Sequence, residues 1–150
     1  MKNIYFRIFC VALFMIGTVI IEIGCNPIIP PSISSSGLLR GASMALSVDA
    51  TTLKPLETTD VFKKDTPIIY CSVLLVNAPE NTLISSYIFM IKGEGGKENS
   101  KSNSSSVEAD GSCFLSFSWR RPGNAWTSGD YKVVISVNGK EDLTVPFRIE

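Results

Sequence analysis

The chain has 150 residues, 45% hydrophobic and 19% charged, which is room for one ordinary domain and excludes a disordered acidic or basic tail. Lys and Arg number 14 and so do Asp and Glu, leaving no net field to draw in nucleic acid. There is no histidine, which excludes Ser-His-Asp and Cys-His catalysis, His-ligated zinc and a haem held by an axial His.

The first elements are not part of the fold. Lys2 and Arg7 precede an uncharged, mostly apolar run over residues 8–21. As a helix that run spans roughly 21 Å, short of a ~30 Å hydrocarbon core. It shows no polar face at helical spacing, so it is not an amphipathic helix of the domain. A basic start, a short apolar middle and a small residue at Gly24 read as a secretory signal over residues 1–24. Residues 25–44 (CNPIIPPSISSSGLLRGASM) are rich in Pro and Ser and read as an extended, solvated tether.

From residue 45 to 150 the pattern has period two. Short strands are expected over residues 45–50 and 60–63. Residues 67–76 (PIIYCSVLLV) read as a central strand, bounded by Pro67 and by Asn77-Ala78-Pro79. Residues 83–91 (LISSYIFMI) read as another. The polar stretch 92–111 is expected as a loop with a ragged edge strand near 105–108. Over residues 113–119, Cys113, Leu115, Phe117 and Trp119 share one face. Residues 120–129 are turn-rich. Tyr131, Val133, Ile135 and Val137 share a strand face, Asn138-Gly139 is a type I′ hairpin signal, and Leu143, Val145, Phe147 and Ile149 return. About seven strands and no convincing helical stripe indicate an all-β domain. An antiparallel β-sandwich with immunoglobulin-like topology is expected, with an open barrel as the alternative.

Two resemblances add to this reading. Gly24-Cys25 resembles the lipobox of bacterial lipoproteins, which implies lipidation at Cys25 after cleavage. Glu22 stands where that pattern has Leu, so an uncleaved membrane anchor and another cleaved signal stay open. Residues 126–150 (WTSGDYKVVISVNGKEDLTVPFRIE), with residues 67–79, resemble immunoglobulin-like domains of bacterial exported lipoproteins of unknown function. That resemblance implies a fold and an extracytoplasmic, membrane-anchored location, and carries no catalytic residue. In such domains a Tyr at the start of the penultimate strand bonds back to the preceding connection, a role that falls on Tyr131.

The chemistry-bearing residues are few. No CxxC pair occurs, and Cys71 and Cys113 both carry core parity, so a disulfide between them and two buried free thiols are both open. No SxxK dyad occurs, and Ile91 and Glu98 stand where the GEGGK stretch would need Gly and Ser or Thr to be a phosphate loop. The scattered Asp residues read as turn acids, with a calcium site as the alternative. No catalytic residue, metal site or cofactor is expected. Arg120, Arg121 and Trp126 form the best recognition loop on sequence grounds, since a loop Trp beside two Arg suits a sugar ring or a partner. The alternative for Trp126 is to cap an open end of the core. The function expected is a non-catalytic module at the cell envelope, anchored in the membrane and binding a protein partner. A carbohydrate- or small-ligand-binding module using the Trp126 loop is the alternative.

Overall fold

The computed structural model describes residues 34–95 and 98–150. The expected signal over 1–24, Cys25 and the first part of the tether lie outside these residues. Six strands follow one another: β1 (Leu39–Ala45), β2 (Val61–Phe62), β3 (Ile68–Gly93), β4 (Glu98–Arg120), β5 (Gly129–Val137) and β6 (Lys140–Ile149). Among the described residues there is no helix. The domain is all-β.

The strands form one sheet in the order β1-β3-β5-β6-β2, with β4 beside β3. The pairs β1–β3, β3–β4, β3–β5 and β5–β6 are antiparallel. The short β2 runs parallel to β6, pairing Val61 with Arg148 and Phe62 with Ile149. The sheet is therefore mixed, where an antiparallel one was expected.

β3 organises the molecule. One of its edges pairs with β4 from Ile68↔Arg120 to Lys92↔Glu98. Its other edge is shared: β1 takes Tyr70 to Leu75, and β5 takes Ile84 to Gly93. Between these stretches β3 bends. Asn77 and Asn81 have φ of 49° and 60°, and the pairing with β4 shifts between Leu75, Ala78 and Thr82. Asn tolerates this left-handed backbone better than other side-chain-bearing residues, and such bulges turn a strand without ending it. The bend is tied locally. The Thr82 hydroxyl donates to the Pro79 carbonyl at 2.6 Å, and the Asn77 amide donates to Ser112 Oγ at 2.9 Å. The bend curls the sheet into a half-barrel and brings β1 against β6.

The core fills the concave side. Ile69, Cys71, Val73 and Leu75 meet Leu115, Phe117 and Trp119, then Tyr131, Val133, Ile135, Val137, Leu143, Phe147 and Ile149. The expected period-two faces are present in each of these strands. Each fully buried Ile or Leu contributes about 1.5–3 kcal/mol over leaving it in water. Phe147 sits between two rings, edge-on to Phe62 at 5.7 Å and stacked on Tyr131 at 5.3 Å. Asn138 and Gly139 take φ of 50° and 81°, as a type I′ hairpin requires. Asn138 also clips the hairpin tip to β3: its amide donates to the Leu83 carbonyl at 2.8 Å, and its Oδ1 accepts from the Leu83 amide at 2.9 Å.

Several expected boundaries move. The strands read over 67–76 and 83–91 are one strand, and those read near 105–108 and over 113–119 are another, so the expected seven or so become six. The stretch 92–111, read as a loop with an edge strand near 105–108, contributes the whole first half of β4. Its serines bury little, and ladder hydrogen bonds to β3 hold it instead. The end of the expected tether is folded, because Leu39 and Met44 of β1 are core residues. Just before it, Ser34, Ser35 and Ser36 grip Asp142 of β6. Their hydroxyls donate to its carboxylate at 2.5, 2.8 and 3.0 Å, and the Ser36 amide donates at 2.5 Å. Residues 46–58, where a strand at 45–50 was expected, fold over the convex side of β3 as a flap. Isolated bridges Val48↔Pro55 and Ala45↔Thr58 close it, and the Ser72 hydroxyl holds it through the Leu53 carbonyl at 2.7 Å.

Candidate interaction surface

The loop singled out in the sequence is structural. Trp126 is buried, its indole N–H donates to the Thr66 carbonyl at 2.7 Å, and its amide donates to the Lys64 carbonyl at 2.9 Å. Arg121 donates from Nη1 to the Asp65 carbonyl at 2.6 Å and from its amide to the Pro67 carbonyl at 2.9 Å. Both residues knit the β4–β5 connection to the segment entering β3. Arg120 is exposed at the end of β4. With the indole inside, the loop offers no Trp126 face to a sugar, contrary to the expected recognition loop.

The disulfide is also excluded by register. Cys71 stands opposite Phe117, and Cys113 stands opposite Leu75. The two cysteines are on neighbouring strands but four positions apart, about 13 Å along the strand at 3.3 Å per residue. A disulfide needs Cα atoms within about 7 Å. Both thiols are free, Cys71 buried and Cys113 exposed. Burial alone pushes the Cys71 thiol up to about 12. Cys113 has core parity, but it lies where β4 meets the bend, beyond the covered part of the core.

Tyr131 takes the place expected for it. Its hydroxyl donates to the Thr127 carbonyl at 2.7 Å, across the connection into β5. Burial raises its pKa and the bond to Thr127 pulls the other way, with the net shift upward.

The convex face carries a surface that the sequence reading missed. On the second half of β3, Leu83, Ser85, Tyr87, Phe89 and Ile91 point away from the core residues Ile84 and Ile88. Tyr87 and Phe89 lie 6.4 Å apart, half-buried and inclined at 61°. Leu83 is 37% and Ile91 42% exposed. Cations stand over both rings. Lys101 of β4 has its Nζ 4.0 Å from the Tyr87 ring centre, and Lys132 of β5 has its Nζ 5.2 Å from the Phe89 ring centre. The Tyr87 hydroxyl donates to Glu141 Oε1. That bond, then burial, then the carboxylate's charge push the Tyr87 hydroxyl up to about 12. Two aromatics held in fixed orientation by neighbouring side chains, between exposed aliphatic residues, suit contact with another protein surface. The signal in the sequence was the odd-numbered series Leu83, Tyr87, Phe89, Ile91. It was masked because the even-numbered Ile84 and Ile88 are equally apolar.

One shallow groove of about 370 Å³ opens between β1 and β6, lined by residues that include Met44, Thr58, Thr59, Asp60 and Pro146. Its lining places one carboxylate, Asp60, among hydroxyls and apolar groups.

The sequence matches no protein-family model and none of the curated proteins compared with it. Among solved structures, the chain is similar to part of the Pseudomonas fluorescens alkylpurine DNA glycosylase AlkC bound to DNA containing an abasic site analog. Identity there is 14% and the TM-score 0.43, covering 73% of this chain and 30% of that one. It is similar to part of the beta-D-glucoside glucohydrolase from Trichoderma reesei at 13% identity and a TM-score of 0.43, covering 75% of this chain and 18% of that one. A third is an uncharacterized protein from Bacillus anthracis str. Ames at 13% identity and a TM-score of 0.37, covering 61% of this chain and 76% of that one. The chain thus spans less than a third of the first two. Likeness at this level carries neither an activity nor a ligand to this chain.

Proposed function

We propose that this protein is a non-catalytic, extracytoplasmic module, held on a membrane by lipid at Cys25, that binds a protein partner at the cell envelope through the convex face of β3, β4 and β5. The observation that carries the binding reading is the Tyr87–Phe89 pair, fixed under Lys101 and Lys132 and flanked by exposed Leu83 and Ile91. The membrane reading rests on the sequence: a basic start, a short apolar run, Gly24-Cys25 and a Pro/Ser-rich segment beyond.

The same proposal takes the fold as an immunoglobulin-like sandwich. The bend in β3, where its edge partner changes from β1 to β5, supports it, and so does the bond from Tyr131 to Thr127. A signal segment over residues 1–24 completes the reading.

Two measurements test it. The intact mass of protein taken from native membranes is expected to lack residues 1–24 and to carry a diacylglyceryl-sized addition. A full-length mass refutes the lipid anchor. A photo-crosslinking residue at Leu83 or Ile91 is expected to form a discrete adduct in cells, and the same probe at Leu56 on the flap is expected to form none. Equal labelling from both positions, or none from either, refutes binding through the convex face.

A further inference from the structure

We propose that two copies of this chain pair edge to edge through the first half of β4, antiparallel and about a two-fold axis at Ser105. The inference does not rest on the envelope reading: it concerns the free edge of β4, which adjoins the convex surface and shares Lys101 with it.

The first observation is an open edge. Among the described residues, β4 pairs with β3 alone. Over residues 100–109 the opposite edge therefore presents backbone N–H and C=O groups to solvent, which is a template for a further strand. The second is the character of that edge. Ser100, Ser104, Ser105 and Ser106 are short and exposed, and the stretch has no proline.

The third observation selects a second copy as the occupant. Lys101 stands opposite Phe89 and Glu108 opposite Leu83, so both lie on the convex face of the sheet. They are seven positions apart, and a regular strand would put them on opposite faces. The irregularity where Ser102 and Ser104 pair with the adjacent residues Ile88 and Tyr87 brings them to the same side. In an antiparallel pair centred on Ser105, Lys101 of each copy then faces Glu108 of the other. The edge is self-complementary in charge, as a two-fold interface requires. Parallel pairing in register would set Lys101 beside Lys101. Lysines and bulges commonly guard exposed edges. Here the bulge is what aligns the lysine with the opposing carboxylate. The two-fold axis would be perpendicular to the sheet, so the Tyr87–Phe89 surfaces of both copies would share one side of a continuous sheet.

The test is charge reversal on the full chain in detergent, read by sedimentation velocity and by energy transfer between differently labelled copies. The wild-type chain is expected to form a concentration-dependent dimer. K101E and E108K each set like charges opposite at both ends of the interface, and each is expected to weaken dimerisation by about tenfold or more. Mixed in equal amounts, the two variants are expected to pair with each other and not with themselves. Because each variant serves as the folded partner of the other, a loss from misfolding is distinguished by failure of the mixture. Near-UV circular dichroism checks each variant separately. A monomeric wild-type chain overturns the proposal. So do single variants that dimerise like wild type, and so do well-folded variants that fail to pair when mixed.

Discussion

Replacing Trp126 separates a structural indole from a binding one. The side chain is 7% exposed and its Nε1–H is committed to the Thr66 carbonyl at 2.7 Å. Trp126→Phe keeps most of the apolar volume but leaves that carbonyl without its donor. A buried group stripped of its partner costs about 1–3 kcal/mol. Trp126→Ala removes the ring as well, and such truncations cost about 3–5 kcal/mol. The described domain is near 100 residues, where each kcal/mol lowers Tm by about 4–8 °C. The phenylalanine variant is therefore expected to lose roughly 4–24 °C, and the alanine variant to be largely unfolded at 37 °C. Urea denaturation followed by far-UV circular dichroism gives the free energies. Trp126 should also resist acrylamide quenching in the native state. A Trp126→Ala protein with an unchanged urea midpoint refutes the reasoning, because the indole would then be neither packed nor bonded as described.

Gly129→Ala is expected to be among the most destabilising single-methyl additions, since a Cβ there would lie 2.1 Å from the Lys92 carbonyl oxygen and 2.8 Å from Gly93 Cα. A urea midpoint within error of wild type would count against that close approach. Asp142→Ala releases the serine clasp and is expected to cost about 1–2 kcal/mol at neutral pH, measured by urea denaturation. Burial raises the Asp142 carboxyl, but the bonds from Ser34, Ser35 and Ser36 outweigh it and hold it below the usual aspartate range. Its contribution is thus complete above the unfolded value and is lost as pH falls through the lower folded one. The acid limb of a stability–pH curve should therefore be shallower in Asp142→Asn than in wild type, and parallel curves would contradict the assignment. Under native conditions a thiol reagent should label Cys113 promptly and Cys71 only after unfolding, and reduction should leave the intact mass of the described domain unchanged. A two-dalton gain on reduction that requires both Cys71 and Cys113 would refute the register of β3 against β4.

The parts of the fold that were legible in the sequence are those set by neighbours along the chain. Tyr131, Val133, Ile135 and Val137 alternate with Lys132, Val134 and Ser136, Asn138-Gly139 turns the chain, and Leu143, Phe147 and Ile149 return on the same face. Each step is local: side chains of a strand point alternately to its two faces, and a type I′ turn needs residues that accept positive φ. The bond from Tyr131 to Thr127 was expected only through the resemblance to immunoglobulin-like domains, not from the pattern of residues itself.

The candidate site was hardly legible, because its decisive contacts are long-range. Trp126 looked like a loop aromatic, and what buries it is Thr66, sixty residues earlier. Asn77-Ala78-Pro79 reads as a turn, yet whether the chain reverses there depends on whether the strands on either side keep the same partner. They do, because β4 follows β3 through the bend. The serine-rich stretch before residue 107 has no apolar pattern to betray a strand, since backbone bonds to β3 are what order it.

What the sequence by itself determined is the all-β class, the inward faces of its apolar strands and the hairpin at Asn138-Gly139, because period and turn chemistry act within a few residues. The tertiary structure alone decided that two expected strands are one, that Cys71 and Cys113 miss each other by four positions, and that Tyr87 and Phe89 rather than Trp126 face outward. Those outcomes follow from register and curvature, which arise only when strands distant in sequence hydrogen-bond side by side.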